Sequence, residues 1–230
     1  MNKISIIVPV FNEVNTLNQI LIHLESSVSR TAEYQIIIVD GGSTDGSQNL
    51  VKGKQHVTLI TAEKGRAKQM NAGAKVANGT ILYFLHCDSF PPKNFDLDIF
   101  EHVNKGKLAG CFRMKFDHSH PLLMVLQWFT KFNHLSCRGG DQSLFITKKM
   151  FDNIGGYNES FVIYEDNEII KHLYQQKQFC VIPKNIVTSA RRYRINGVCK
   201  LQYHFSVIHL KRKLGHSPER MLDYYKKNVK

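Results

Sequence analysis

Ser5-Ile-Ile-Val-Pro-Val-Phe-Asn-Glu13 and, about 25 residues further on, Ile36-Ile-Ile-Val-Asp-Gly-Gly-Ser-Thr-Asp-Gly46 decide the fold of this chain. Each is an apolar run rich in β-branched residues that stops abruptly at polar or glycine residues. The distance between them is that of strand, helix, strand, the unit of an α/β sheet. In an open parallel sheet, ligands bind beyond the carboxyl ends of the strands. Glu13 and Asp40 are therefore expected at a binding crevice.

Working outward, residues 4–10 and 35–39 read as the first two strands, and Val57–Thr61 and Thr80–Leu85 as the next two. A helix follows the first strand, with Leu17, Ile20, Leu21 and Leu24 on its apolar face and Asn12 or Asn15 as its cap. Ser43 or Thr44 is expected to cap a helix after the second strand. Gly65–Ala77 reads as helix, stopped by Asn78-Gly79. Strands alternating with helices imply βαβ units and a mainly parallel sheet flanked by helices.

The second half is less regular. It reads as strands at Leu108–Lys115, Ser143–Thr147 and Val181–Val187, and helices at Pro121–Phe132, Glu165–Gln175, Val198–Leu214 and Pro218–Lys227. Leu122-Leu-Met-Val-Leu-Gln-Trp-Phe129 is read first as a core helix. An acceptor-side wall or a membrane-contacting helix are its alternatives. No repeat or low-complexity linker divides the chain. One unit is expected over 1–230, with a ligand-binding half at 1–105 and a more variable half at 106–230 that ends in basic helices.

The chain has 230 residues, 43% hydrophobic and 22% charged, an ordinary globular balance. It enters directly into a strand, so no signal peptide is expected. No apolar run approaches the ~20 residues of a membrane span. Five scattered cysteines without a Cys-x-x-Cys pair suit reduced thiols and a cytoplasmic location. The formal charge of +12, with basic residues crowding the last forty positions through Lys230, suggests an anionic partner such as a phosphorylated substrate or the inner face of an anionic membrane. A solvated basic face is the plainer alternative. Nucleic acid is not expected, because no aromatic–basic interleaving accompanies the charge.

Several clusters carry chemistry. Asp40, Gly42, Ser43, Asp45 and Gly46 lie in one turn, where glycine permits positive φ and an exposed carboxylate could accept from a base or ribose. A dinucleotide site would need Gly-x-Gly-x-x-Gly after the first strand, and that strand ends without glycine. His86-Cys87-Asp88 ends the apolar strand at 81–85. A carboxylate there suits Mg²⁺ or Mn²⁺ bridging phosphates, with a helix cap before Pro91-Pro92 as the alternative. Glu165-Asp166 opens a helix, and adjacent carboxylates can push one pKa upward; capping is again the alternative. Arg191-Arg192-Tyr193-Arg194 places three guanidinium forks within reach of one phosphate-bearing ligand.

Taken in order, these motifs resemble family 2 glycosyltransferases of the GT-A (Rossmann-like) fold. The likeness runs from Ser5–Glu13 through Asp40–Gly46, Gly65-Arg-Ala-Lys-Gln-Met-Asn-Ala-Gly73 and His86-Cys-Asp88 to Gly139-Gly-Asp-Gln142 and Tyr164-Glu-Asp166. The Gly65–Asn71 block and Ser189-Ala-Arg-Arg-Tyr193 resemble, more narrowly, a bacterial subgroup labelled arsenosugar-biosynthesis glycosyltransferases. The resemblance implies a nucleotide-diphospho-sugar donor, UDP-linked by preference, and transfer of one sugar with inversion to an acceptor hydroxyl. It makes residues 1–105 the nucleotide-sugar-binding half and 106–230 the acceptor-side half. Pro9, Phe11, Asn12, Glu13, Asp40, Gly42, Ser43, Arg66, His86 and Cys87 would line the nucleotide. Asp88, at the last position of the family's Asp-x-Asp motif, would hold Mn²⁺ or Mg²⁺; His86 replaces the first Asp. Asp166 would be the general base with Glu165 beside it. Gly140, Asp141, Gln142, Arg191, Arg192 and Arg194 would serve the diphosphate or the acceptor. The Gln-x-x-Arg-Trp of processive members is missing. Sugar transfer to a lipid phosphate at a membrane, or donor binding without catalysis, are the rival readings.

Overall fold

The first apolar run forms strand β1 (Lys3–Val10), and helix α1 (Val14–Ser27) returns the chain to β2 (Glu33–Asp40), which lies parallel to β1. This is a computed structural model, and it describes residues 3–54 and 56–229. Lys230, at the end of the basic last forty positions, lies outside the described residues. After β2 come β3 (Val57–Thr61), α2 (Arg66–Val76), β4 (Ile81–Phe84), β5 (Ser89–Phe90), α3 (Phe95–Asn104) and β6 (Ala109–Phe116). Then follow α4 (Pro121–Phe129), β7 (Leu144–Thr147), α5 (Lys148–Asn153), α6 (Glu165–Gln175), β8 (Phe179–Thr188), α7 (Arg191–Asn196), α8 (Val198–Lys213) and α9 (Pro218–Asn228).

The strands form one sheet in the order β3-β2-β1-β4-β7-β6-β8-β5. The first four are parallel, as the βαβ reading requires; β7 runs antiparallel to both β4 and β6, and β6 and β8 are parallel. Pleating divides the core between the two faces. Ile4, Ile6, Val8 and Val10 of β1 pack with Leu17, Ile20, Leu21 and Leu24 of α1 and with Phe95 and Ile99 of α3. Ile7, Ile37 and Val39 pack on the other side with Ala67, Met70 and Ala74 of α2 and with Ile169, Ile170 and Leu173 of α6. Each fully buried Leu or Ile contributes roughly 1.5–3 kcal/mol of transfer free energy before chain entropy is subtracted. A third cluster, built on Phe116, Leu123, Ala190, Tyr193 and Leu201, ties α4, α7 and α8 to the far end of β6.

The structure corrects several expectations. The helix foreseen after β2 is only a 3-10 turn, Ser47–Leu50, entered from Gly46 at φ 88°. Neither Asn12 nor Asn15 caps α1: the Val14 amide donates to Asp45 Oδ2 (2.9 Å), a partner from the next turn. β5, α3, α5 and α7 were unread; β5 has only two residues, and its pairing with Val187 and Thr188 is wholly non-local.

The expectation of a core helix at α4 fails. Of its residues only Leu123 is buried, while Met124, Val125, Trp128 and Phe129 stand 55%, 52%, 52% and 45% exposed. The reason lies in β6, which pairs with β7 only at Ala109 and Gly110. Beyond that point its edge amides need acceptors. Gln127 Oε1 accepts from the Phe116 amide (3.1 Å) and Thr130 Oγ1 from the Met114 amide (3.0 Å). The polar side of the helix is thereby turned inward. Among the described residues no helix is long and apolar enough to cross a membrane.

Candidate active site

The turns after β1 and β2 lock into each other. The Asn12 amide donates to Ser43 Oγ (2.9 Å) and the Thr44 amide to Asn12 Oδ1 (2.9 Å), with Asn12 at φ 54°. The Glu13 amide donates to Ser47 Oγ (3.2 Å), whose own hydroxyl donates to Asp45. Gln69 of α2 donates through Nε2 to both Val10 O (2.9 Å) and Val39 O (2.7 Å), bridging the two strand ends from beneath.

Asp40 was expected to be exposed. It is 1% exposed, and its carboxylate accepts from the Gly42 and Ser43 amides and from Gln48 Nε2 (2.7 Å). Burial alone would raise its pKa, but these donors outweigh it and hold the carboxyl below its usual range. Phe11 stays 37% exposed at the crevice rim, under Lys64 Nζ, which lies 3.7 Å from its ring centre. Pro9 remains in the β1–β2 ladder opposite Val39.

Beyond β4 the chain turns through His86-Cys87-Asp88. The Cys87 side chain faces the core, and burial pushes its thiol up to about 12. His86, 8% exposed, stands between two carboxylates: Nδ1 is 3.6 Å from Asp141 Oδ1 and Nε2 is 3.5 Å from Asp166 Oδ2. Burial and Arg66 oppose a charged ring, but Asp141 and Asp166 prevail and raise its pKa to about 9. Burial likewise raises the Asp88 carboxyl, with Asp141 adding to it against His86 and Arg191.

Asp166 and Glu165 begin α6, which is anchored from behind by Arg212 of α8, bidentate to Glu168 (2.7 and 2.9 Å). Glu165 is 2% exposed, and its Oε1 has no hydrogen-bond donor among the described residues; Arg66 Nη1 stands 3.6 Å away. Burial, then Asp166, raises its pKa to about 7. Asp166 lies against Gly140, where a Cβ would overlap its carboxylate, so this loop must carry glycine for Asp166 to sit there.

The remaining candidates divide. Gln142 is buried and structural: its Oε1 accepts from Arg138 Nη1 (2.8 Å) and its Nε2 donates to Cys137 O (2.8 Å). Of the three arginines, Arg191 makes direct contacts in the crevice, and Arg192 is close enough to act on Glu13 and Asp141. Arg191 is bidentate to Glu13 (2.7 and 3.1 Å) and 4.0 Å from Asp88. Arg194 is held by Asp117 (3.0 Å), and Arg192 donates to the Tyr225 hydroxyl (3.0 Å). Arg191 arrives there because β5 pairs with the end of β8 and the Ser189 amide donates to Asp88 O (3.2 Å). Lys64, Gln69 and Arg138 escaped the sequence reading; Gln69 and Arg138 lie inside or beside recognised motifs but were not singled out.

Glu13, Asp88, Arg191, His86, Asp141, Asp166, Glu165 and Arg66 thus gather beyond the carboxyl ends of β1 and β4. Residues 5–161 match the family described as Glycosyl transferase family 2. The chain belongs to glycosyl transferase family 2. A relative from Methanococcus voltae, named dolichyl N-acetyl-alpha-D-glucosaminyl phosphate 3-beta-D-2,3-diacetamido-2,3-dideoxy-beta-D-glucuronosyltransferase, is 30% identical over 122 residues, covering 48% of this chain and 38% of that protein. Staphylococcus aureus TarS 1-349 in complex with UDP is similar in fold, with a TM-score of 0.68 at 20% identity, over 82% of this chain and 60% of that one. The mannosyltransferase PcManGT from Pyrobaculum calidifontis, in complex with GDP-Man and Mn2+, has a TM-score of 0.69 at 15% identity over 98% of this chain and 67% of that one. The likenesses establish the GT-A fold for this family 2 chain, which spans about two fifths of the length of the Methanococcus relative.

Proposed function

We propose that this chain is a glycosyltransferase that moves one sugar from a nucleotide-diphospho-sugar, UDP-linked by preference, to an acceptor hydroxyl with inversion. The observation that carries the proposal is the Asp166 carboxylate, held against Gly140 and 3.5 Å from His86, in the same crevice as Asp88. The nucleotide is proposed to lie over the locked turns, against Phe11, Asn12, Glu13, Gly42, Ser43 and the Asp40 loop, with Arg66 toward its phosphates. Arg191 meets the diphosphate, and Asp141 stands at the acceptor side.

Asp88 fits a hard divalent cation, Mn²⁺ or Mg²⁺. Its carboxylate is 27% exposed and faces the crevice, with Arg191 Nη2 4.0 Å away and His86 and Arg66 close enough to act on it. A hard cation held by one carboxylate would take its remaining oxygen ligands from substrate phosphates and water. When bound, the cation offsets the diphosphate charge.

Asp166 accepts the proton of the acceptor hydroxyl. The oxygen forms its bond to the anomeric carbon from the face opposite the nucleotide. The bond from that carbon to the diphosphate breaks, and the electron pair leaves with the diphosphate, toward Arg191. His86 orients the base. Glu165 is a poor candidate for the same task, being sealed behind Arg66.

The narrower arsenosugar-biosynthesis likeness enters only through residues 65–71 and 189–193 and names no acceptor. A lipid-phosphate acceptor is the second reading, favoured by the Methanococcus relative's printed name and by the exposed face of α4.

The test is nucleoside diphosphate release from a panel of nucleotide-sugars and hydroxyl acceptors. Asp166→Asn should bind donor normally and turn over about 10²–10⁴-fold more slowly. Near-wild-type turnover in Asp166→Asn with loss in Glu165→Gln would reassign the base. Donor binding without turnover on any acceptor would leave a binding module.

A further inference from the structure

We infer that the outward face of α4 is a docking surface for an anionic lipid bilayer. The helix is inverted: Leu123, Gln127 and Thr130 hold it to β6, while Met124, Val125, Trp128, Phe129 and, in the next turn, Phe132 point to solvent. Their spacing places them on one face. Three rings form a contiguous wedge, with Trp128 5.0 Å from Phe132 and 5.3 Å from Phe129, centre to centre. Exposed apolar patches rimmed by polar groups mark interaction sites.

Charge selects the occupant. Lys131 Nζ lies 3.7 Å from the Trp128 ring and 5.0 Å from that of Phe132, so a cation is part of the wedge itself. Residues 118–140 contain no Asp or Glu, and Lys131 is their exposed cation, Arg138 being buried. Aromatic and aliphatic side chains with lysine at their edge are the composition of an interfacial helix. Anionic lipid attracts basic residues held near the bilayer surface. A second copy of this chain also carries a net +12, which disfavours self-association.

The surface is wired to the crevice. Buried Arg138 donates through Nη2 to Thr130 O (2.7 Å) and Phe132 O (2.6 Å), and through Nη1 to Gln142 (2.8 Å). The wedge and the loop Gly139–Gln142 beside Asp166 therefore form one unit. A bilayer docked on α4 would present its acceptor to that loop, and this consequence, though not the docking, rests on the proposed function.

Trp128 is the sole tryptophan of the chain, so its emission reports on the wedge alone. Phosphatidylcholine vesicles containing phosphatidylglycerol should shift the emission to the blue. Lipids brominated on the acyl chains should quench it, and vesicles of phosphatidylcholine alone should do much less. The triple variant Met124→Ser, Phe129→Ser, Phe132→Ser should lose vesicle co-sedimentation by tenfold or more. Circular dichroism and UDP thermal stabilisation, unchanged from wild type, would show that this variant folds. No shift on anionic vesicles, or sedimentation of the folded triple variant like wild type, would overturn the inference. A blue shift that instead follows protein concentration in vesicle-free buffer would replace the bilayer with a second copy. Vesicle binding without any nucleotide binding would refute the proposed function and leave the docking intact.

Discussion

Glu165 and Asp166 are neighbours in sequence with different surroundings. The resemblance paired them, and the structure separates them: Glu165 faces Arg66 behind the site, and Asp166 faces His86 and Gly140. The pKa of about 7 at Glu165 has a consequence for stability. The folded carboxyl holds its proton more tightly than the unfolded chain, whose value is near the ordinary 4.5. The stability it contributes is full below that value and is lost as pH rises through about 7. Glu165→Gln has no such loss. Urea unfolding at pH 5 and pH 8 should show the variant gaining on wild type at the higher pH by roughly 1–3 kcal/mol. A difference independent of pH would mean that Glu165 titrates normally. Gly140 was legible as part of a motif; its reason, room for a carboxylate from a residue far along the chain, was not.

The elements were legible where periodicity and turn chemistry agree. β1 to β4 and α6 fall close to their expected bounds because apolar runs and their stops are local signals. Caps were not legible, because the acceptor for the first amide of α1 is Asp45, 31 residues away, and no local pattern announces it. α4 was misread because its apolar face has a helical period whether it points in or out. The locked turns make a prediction of their own. Asp40→Ala leaves two amides and Gln48 without their charged acceptor, at about 1.5–3 kcal/mol for such a bond. It should lower the melting temperature by several degrees and weaken UDP binding while leaving any metal dependence in place. If Asp40→Ala binds UDP as tightly as wild type, these turns do not hold the nucleotide.

At the scale of the molecule, the crevice is closed by contacts that no local reading reaches. Arg191 meets Glu13 across 178 residues, because a two-residue strand pins the end of β8 beside the β4 turn. The clustered arginines suggested a common anion; in the fold α7 gives each its own partner and sends only Arg191 to Asp88. On the proposed function, a charged donor would lie on one side of Asp166 and an acceptor on the other.

The central claim is that a nucleoside diphosphate binds in this crevice against Asp88 with a divalent cation. Titration calorimetry of UDP in Mn²⁺ and in EDTA tests it directly, on wild type and on Asp88→Asn. The expected result is clear binding to wild type with Mn²⁺, weak binding in EDTA because the diphosphate charge meets Asp88 uncompensated, and no metal effect in a folded Asp88→Asn. Equal UDP affinity with and without Mn²⁺, or a metal effect that survives Asp88→Asn, would contradict the account.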